Sequence, residues 1–170
     1  MDFKKAQTFW DRKDIDAKKM NEEDLKKRIG QFLLKTSTLA LGTSDYQGNN
    51  RVTPLEFTYK DGALYILTEG GHKFDNLEVN LKVSFAIFGN YAGFNGGLHS
   101  LQGEGKCEIL DPSSKEYADL LTYKKIPLAM INKLKEPMYC LKIIPEEYVL
   151  LDSDLKKEGY DSRQKLSPVH

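Results

Sequence analysis

The residues of this chain best suited to chemistry are cations set beside glycines. Arg51 heads the stretch RVTPLEFTYKDGALYILTEGGHKFDNL, and His72-Lys73 directly follow Gly70-Gly71 within it. The stretch reads as an extended segment, a tight turn, a second strand, and a glycine pair opening onto a helix. Lys60-Asp61-Gly62 between two alternating segments predicts a hairpin, because Asp-Gly supplies the backbone conformation that such turns need. The second strand is expected to end at Thr68. A helix starting at His72-Lys73 then presents free amide donors and the positive end of its dipole, with the Lys73 ammonium beside them. Anion binding is the chemistry on offer, and phosphate is the natural candidate.

Helical segments come before this unit. Asp2 is placed to cap a short helix through Phe9-Trp10. Asn21 is placed to cap a stronger one, with Asp24 as its capping-box partner and Met20 and Leu25 as a hydrophobic staple. Leu25, Ile29, Phe32 and Leu33 then recur at helical spacing and predict one core-facing stripe. From residue 36 the pattern turns β, with strands expected over 37–43, 51–59, 63–68, 82–88, 100–109, 138–144 and 147–151. Pro54 cannot donate a ladder hydrogen bond, so it predicts an edge or a bulge where main-chain groups could face a ligand. Short helices are expected over 73–80, 113–124 and 128–133, the last two separated by Pro127. Residues 89–99 read as a loop, and residues 152–170 as a polar tail over the surface.

Six or seven short strands with helices grouped at the start, middle and late regions predict a mainly β fold, an antiparallel barrel carrying peripheral helices. Parallel crossovers need about a dozen residues each, and the intervals here are shorter. One domain is expected over 1–170, with a helical N-terminal extension over 1–34 and the polar C-terminal tail over 152–170.

Composition excludes several classes. Lys and Arg number 25 and Asp and Glu number 25, so no global field recruits nucleic acid or an anionic membrane. The apolar runs are strand-sized, far short of a bilayer span. The charged start MDFKKAQTFWDRKD lacks a secretory apolar region, and we expect a cytoplasmic protein. Cys107 and Cys140 have no metal-type spacing and are expected to be buried thiols. His72, His99 and His170 are scattered without clustered carboxylates, which argues against zinc. His72 could serve as a phosphate donor, an acid, a metal or haem ligand, or simply lie exposed. His99 has no partner visible in the sequence. No P-loop, G-x-G-x-x-G or G-x-S-x-G pattern occurs.

The order of these features resembles the pyridoxamine 5'-phosphate oxidase-like, FMN-binding split-barrel family. The matching residues are Leu39-Ala40-Leu41-Gly42-Thr43, a turn ending in Gly48, Arg51-Val52-Thr53-Pro54, and the strand-turn-strand over 57–68. They continue with Gly71-His72-Lys73, Asn76-Leu77, the strand over 83–88, and Gln102-Gly103-Glu104-Gly105-Lys106-Cys107. The resemblance is good over residues 35–110 and loose elsewhere. It implies a Greek-key split barrel, and a homodimer with FMN at the subunit interface. It places Arg51 and Lys73 on the FMN phosphate, with Gly71 and His72 in the same clamp. The backbone of Val52, Thr53 and Pro54 would lie along the ring, with Leu67 and Thr68 near the ring and ribityl chain. Gln102, or Ser100, would reach in from the second subunit.

This chain departs from the vitamin-oxidising members at two places. Glu56 stands where they carry a lysine for the substrate phosphate, and their C-terminal arginine–histidine motif is absent, leaving Arg163 as one cationic contact. The expectation is therefore an FMN-dependent oxidoreductase with another small-molecule substrate and no assigned catalytic residue. The alternatives are a haem- or flavin-binding sensor or haem-handling protein with His72 as ligand, a nitroaromatic-reducing relative, or a barrel that serves only as an interaction module. Phe9, Trp10, Tyr91 and Phe94 could cover a flavin face or pack in a core or interface.

Overall fold

The computed structural model describes residues 2–89 and 97–167. The loop aromatics Tyr91 and Phe94, and His170, lie outside the described residues. Eight strands form one sheet: β1 (Thr38–Ser44), β2 (Asn50–Glu56), β3 (Thr58–Lys60), β4 (Ala63–Thr68), β5 (Lys82–Phe88), β6 (His99–Leu110), β7 (Tyr139–Asp152) and β8 (Arg163–Leu166). Every pairing is antiparallel, in the order β2-β1-β5-β6-β7-β4-β3 with β8 beside β7. The helices are α1 (Phe3–Gln7), α2 (Phe9–Ile15), α3 (Glu22–Leu34), α4 (Lys73–Leu77), α5 (Lys115–Tyr123) and α6 (Leu128–Ile131). The expected mainly β split barrel with flanking helices is the fold observed.

One residue dictates its closure. The single strand expected over 51–59 breaks at Phe57, which is buried and donates its N–H to the Ser37 carbonyl at 2.8 Å. On one side β2 pairs with β1, and on the other β3 pairs with β4. These strands are the two opposite edges of the sheet. Joining both edges through Phe57 forces the sheet to curl. The hairpin turn is as expected, with Asp61 at φ 50° and Gly62 at φ 82°, the two positive angles of a type I′ turn.

Alternation then sorts the side chains. Leu39, Leu41, Leu64, Ile66, Val83, Phe85, Ile87, Leu101 and Leu150 point into the curl and pack with Leu25, Ile29 and Leu33 of α3. Helix α3 starts where Asn21 accepts from the Asp24 N–H at 2.9 Å. The reciprocal arm runs from the Asn21 side-chain amide to the Asp24 carboxylate, where a capping box would use the cap residue's backbone. A second core lies outside the sheet, where Tyr117, Leu120 and Leu121 of α5 cover Ala63, Tyr65 and Cys140. Cys107 and Cys140 sit in different cores, and burial above all pushes both thiols up to about 12.

The C-terminal segment differs from the expected polar tail. A 3-10 helix over Ser153–Glu158 and strand β8 bury Leu155, Gln164 and Leu166. Gln164 donates to the carbonyls of Lys18 (3.2 Å) and Asp161 (2.7 Å) and accepts from the Met20 N–H (3.0 Å). Asp161 accepts from the Lys18 N–H at 2.7 Å. The tail thus clasps the chain between α2 and α3. Strand β8 has only two inward positions, too few for a period-2 signal to register in the sequence. No helix among the described residues is long and apolar enough to cross a membrane.

Candidate functional site

The turn between β1 and β2 is organised by Asp45. Its carboxylate accepts from the Gln47 N–H (2.9 Å), the Asn49 N–H (2.8 Å) and the Asn49 side-chain amide (2.7 Å). These bonds, the Asn49 side chain foremost, hold its pKa below the ordinary carboxylate value. Arg51, the next residue but one along β2, makes no ion pair with Asp45 among the described residues. Its guanidinium stays exposed.

Helix α4 is brought to this turn by two asparagines. Asn76 is buried and donates to Thr43 Oγ1 (3.2 Å) and the Asn49 carbonyl (3.1 Å). Asn80 donates to the Ser44 carbonyl at 2.9 Å. Gly70 at φ 137° and Gly71 at φ 103° turn the chain out of β4 into the helix, through conformations that side-chain-bearing residues rarely adopt. The result is a shallow cleft of about 460 Å³ in which Arg51, Asn49, His72, Asp75 and Asn76 face one another. The helix is five residues long, not the eight expected over 73–80. So few aligned peptides make a weak dipole, and attraction for an anion rests on the cations.

Of these, Lys73 is the unusual one. Its side chain is 3% exposed, donates to the Gly70 carbonyl, and sets its Nζ 5.2 Å from the centre of the Phe74 ring. It forms no ion pair with a carboxylate among the described residues. Burial above all pushes its pKa down; the Glu69 charge opposes this and the Arg51 charge adds to it. The Arg51 charge thus reaches Lys73, while Asp45 and Asp75 line the cleft beside Arg51. His72 differs: it is 77% exposed at its side chain, with Nδ1 3.0 Å from Asp75 Oδ2.

The sequence-derived site is thus divided. Arg51 and His72 line the cleft together with the carboxylates of Asp45 and Asp75, whereas Thr68, Gly71 and Lys73 do not line it; Thr68 is buried with its Oγ1 3.4 Å from the Gly70 nitrogen. Thr53 faces inward beside Leu41, and Pro54 lies on the edge strand opposite Ala40. That edge placement is what its missing N–H predicts. Val52 and Gln102 lie on the outer face of the sheet, where they line a cavity of about 320 Å³ with Gly42, Ser84 and Ala86. No helix packs on that part of the sheet among the described residues. Leu67 points elsewhere again, toward the second core.

Other expectations resolve by pairing. Glu56 is bonded to Lys124 at 2.8 Å. Arg163 pairs with Asp14 and lies 5.2 Å from the Trp10 ring centre. Phe9 and Trp10 meet edge to face at 5.1 Å. His99, which has no partner visible in the sequence, places Nδ1 3.1 Å from Asp152 and Nε2 3.8 Å from Asp154. Arg28 holds the other Asp152 oxygen at 2.8 Å, so these contacts join α3, β6, β7 and the 3-10 helix, and His99 does sit in a cluster with two carboxylates, contrary to the expectation from sequence. Asn49 and Asn76 are the site residues that reading for charge overlooks. Asn76 is a polar residue at an inward helical position, three after Lys73, and is among the residues that carry the family resemblance; Asn49 lies in the β1–β2 turn.

The family model for pyridoxamine 5'-phosphate oxidase matches residues 25–147. Among solved structures, the haem storage protein HutZ from Vibrio cholerae is similar at 20% identity and a TM-score of 0.59, covering 75% of this chain and 92% of that one. ChuZ from Campylobacter jejuni reaches a TM-score of 0.66 at 14% identity, over 88% of this chain and 61% of that one. An FAD-binding protein from Mesorhizobium loti is 21% identical, with a TM-score of 0.56, over 72% of this chain and 89% of that one. These likenesses establish shared architecture. No curated protein matches this chain. Since the model spans most of the curled antiparallel sheet described above, this chain belongs to the pyridoxamine 5'-phosphate oxidase family.

Proposed function

We propose that the cleft between β2 and α4 holds the phosphate of FMN and that the protein is a flavin-dependent oxidoreductase acting on a small molecule. The observation that carries this reading is Lys73, a buried ammonium with no carboxylate partner among the described residues. Burying an unpaired charge is costly, and a bound anion relieves that cost. The donor set fits such a group: Arg51 is free to close bidentately on phosphate oxygens, and Thr68 and the Gly71 main chain lie beside Lys73.

Bound FMN would supply the electron-transfer chemistry; the protein contributes binding and orientation. Edge strand β2 turns the main-chain groups of Val52 and the Pro54 carbonyl away from β1, without ladder partners, while Thr53 faces Leu41 across the ladder, and these outward groups can hold a ring system. Gln102 and Ser100 sit on the uncovered outer face, where Ala40, Gly42, Ser84 and Ala86 permit close approach. A second copy covering this face would bury Val52 and Gln102, which line one cavity there, in a homodimer with the cofactor at its interface. The likeness to a protein described as FAD-binding supports a flavin.

A second reading keeps the fold and replaces the cofactor. The contact of His72 Nδ1 with Asp75 leaves Nε2 directed away from its own partner, which is how a carboxylate orients a metal-ligating imidazole. Two similar structures are described as a haem storage protein and a haem-binding protein. Purification without added cofactor, followed by a visible spectrum and the mass of the bound molecule, separates the two. A flavin spectrum with FMN's mass supports the first reading, and a Soret band supports the second. Colourless protein that FMN cannot reconstitute refutes the flavin assignment.

A further inference from the structure

A second cavity lies on the other side of β4 from the first core. It has a volume of about 320 Å³, roughly twice that of a 150 Å³ apolar cavity that holds benzene and at the lower end of small-molecule pockets. Its floor is Leu67, Ile126 and Ile131, which are half-buried against the second core. Its rim is Met130, 62% exposed, and Leu134, 43% exposed. Met138 closes one side, and the next residue, Tyr139, sets its ring 5.0 Å from Phe74 of α4. Tyr139 points to the opposite face from Met138, so the sheet stands between the cavity and α4.

Its polar groups are few and differ in commitment. Lys124 bonds Glu56 at 2.8 Å and Thr58 Oγ1 at 2.9 Å, so both charges of that pair are engaged. Glu69, also in the lining, makes no hydrogen bond or ion pair among the described residues, although its charge acts on Lys73. An apolar cup with one uncommitted carboxylate at its mouth complements a hydrophobic body bearing a cationic group. It disfavours an anion. The flexible thioethers of Met130 and Met138 suit a wall that adapts to its occupant.

We infer that this cup binds a small, apolar, cationic molecule of about two fused rings. That the molecule is the substrate of the redox site rests on the flavin reading above; the binding itself does not.

Three bicyclic probes of one shape test the inference: naphthylmethylammonium, naphthylmethanol and naphthoate, each titrated by fluorescence into the full chain before and after FMN addition. The ammonium probe should bind about tenfold tighter than the carboxylate. Glu69→Gln should remove that preference and leave the neutral probe unchanged. Leu134→Asp should weaken the neutral probe about tenfold while FMN titration is unaffected. Failure of all three probes to saturate, preference for the carboxylate, or insensitivity to Glu69→Gln overturns the inference. So does a change from dimer to monomer with Leu134→Asp in sedimentation, which would make the cup a contact between copies. FMN binding without probe binding refutes the cup alone, and probe binding without FMN binding refutes the flavin site alone.

Discussion

Exchanging Lys73 for methionine should move folding stability and ligand affinity in opposite directions. In the ligand-free protein Lys73 is almost fully buried, donates to the Gly70 carbonyl beside the Phe74 ring, and feels the opposing charges of Glu69 and Arg51. Methionine keeps most of the methylene packing and removes the charge. Removing a buried, unpaired charge while keeping the packing should stabilise the ligand-free protein by about 1–2 kcal/mol, or roughly 2–8 °C in Tm for a chain of this size. Phosphate binding should lose one charge-assisted contact, about 1.5–3 kcal/mol, or roughly a 10- to 150-fold weakening. Riboflavin lacks the phosphate, so its affinity should not change.

The pH dependence has a definite sign. A lysine with a depressed folded-state pKa leaves the unfolded chain holding more protons between its folded pKa and about 10.4. The penalty is full below the folded pKa and disappears as pH rises through that window. The ligand-free wild type should gain stability there relative to Lys73→Met, and FMN should flatten the difference. Thermal denaturation with and without FMN, together with fluorescence titrations of FMN and riboflavin, reads every arm. Unchanged FMN affinity, or a less stable ligand-free variant, would refute the reasoning.

Two further substitutions probe the frame that holds the site. A Cβ at Gly103 would fall within the Phe85 ring, so Gly103→Ala should cost about 1–3 kcal/mol in urea denaturation. Phe85→Leu should recover part of that loss, and strict additivity of the two would contradict the clash. The Tyr148 hydroxyl is buried with no hydrogen-bond partner among the described residues, so Tyr148→Phe should be neutral or stabilising by up to about 1 kcal/mol. A loss greater than 1 kcal/mol would reveal a partner for it.

Much of this protein is written in short-range pattern. The Asn21 cap, the stripe of Leu25, Ile29 and Leu33, the Asp61-Gly62 turn and the alternation of Lys82–Phe88 each depend on neighbours within one turn or one hairpin. Each appears as expected. Edge placement of Pro54 follows from its own chemistry, because a residue without an N–H is excluded from central strands. The family resemblance likewise followed from residues in order along the chain.

Other properties exist only once distant segments meet. Nothing local marks Phe57 as the join between the sheet's two edges; its N–H extends the β1–β2 ladder to Ser37, and the next residue, Thr58, already pairs with β4. His99 gains its acids from β7 and the 3-10 helix, and Gln164 finds its partners 144 and 146 residues away. Sequence identified Lys73 as a cation beside a glycine turn, and tertiary structure decided that it is buried. A lysine in an unfolded chain is hydrated whatever its neighbours in sequence. Only the fold, which lays Lys73 against the Gly70 carbonyl and the Phe74 ring, removes that water.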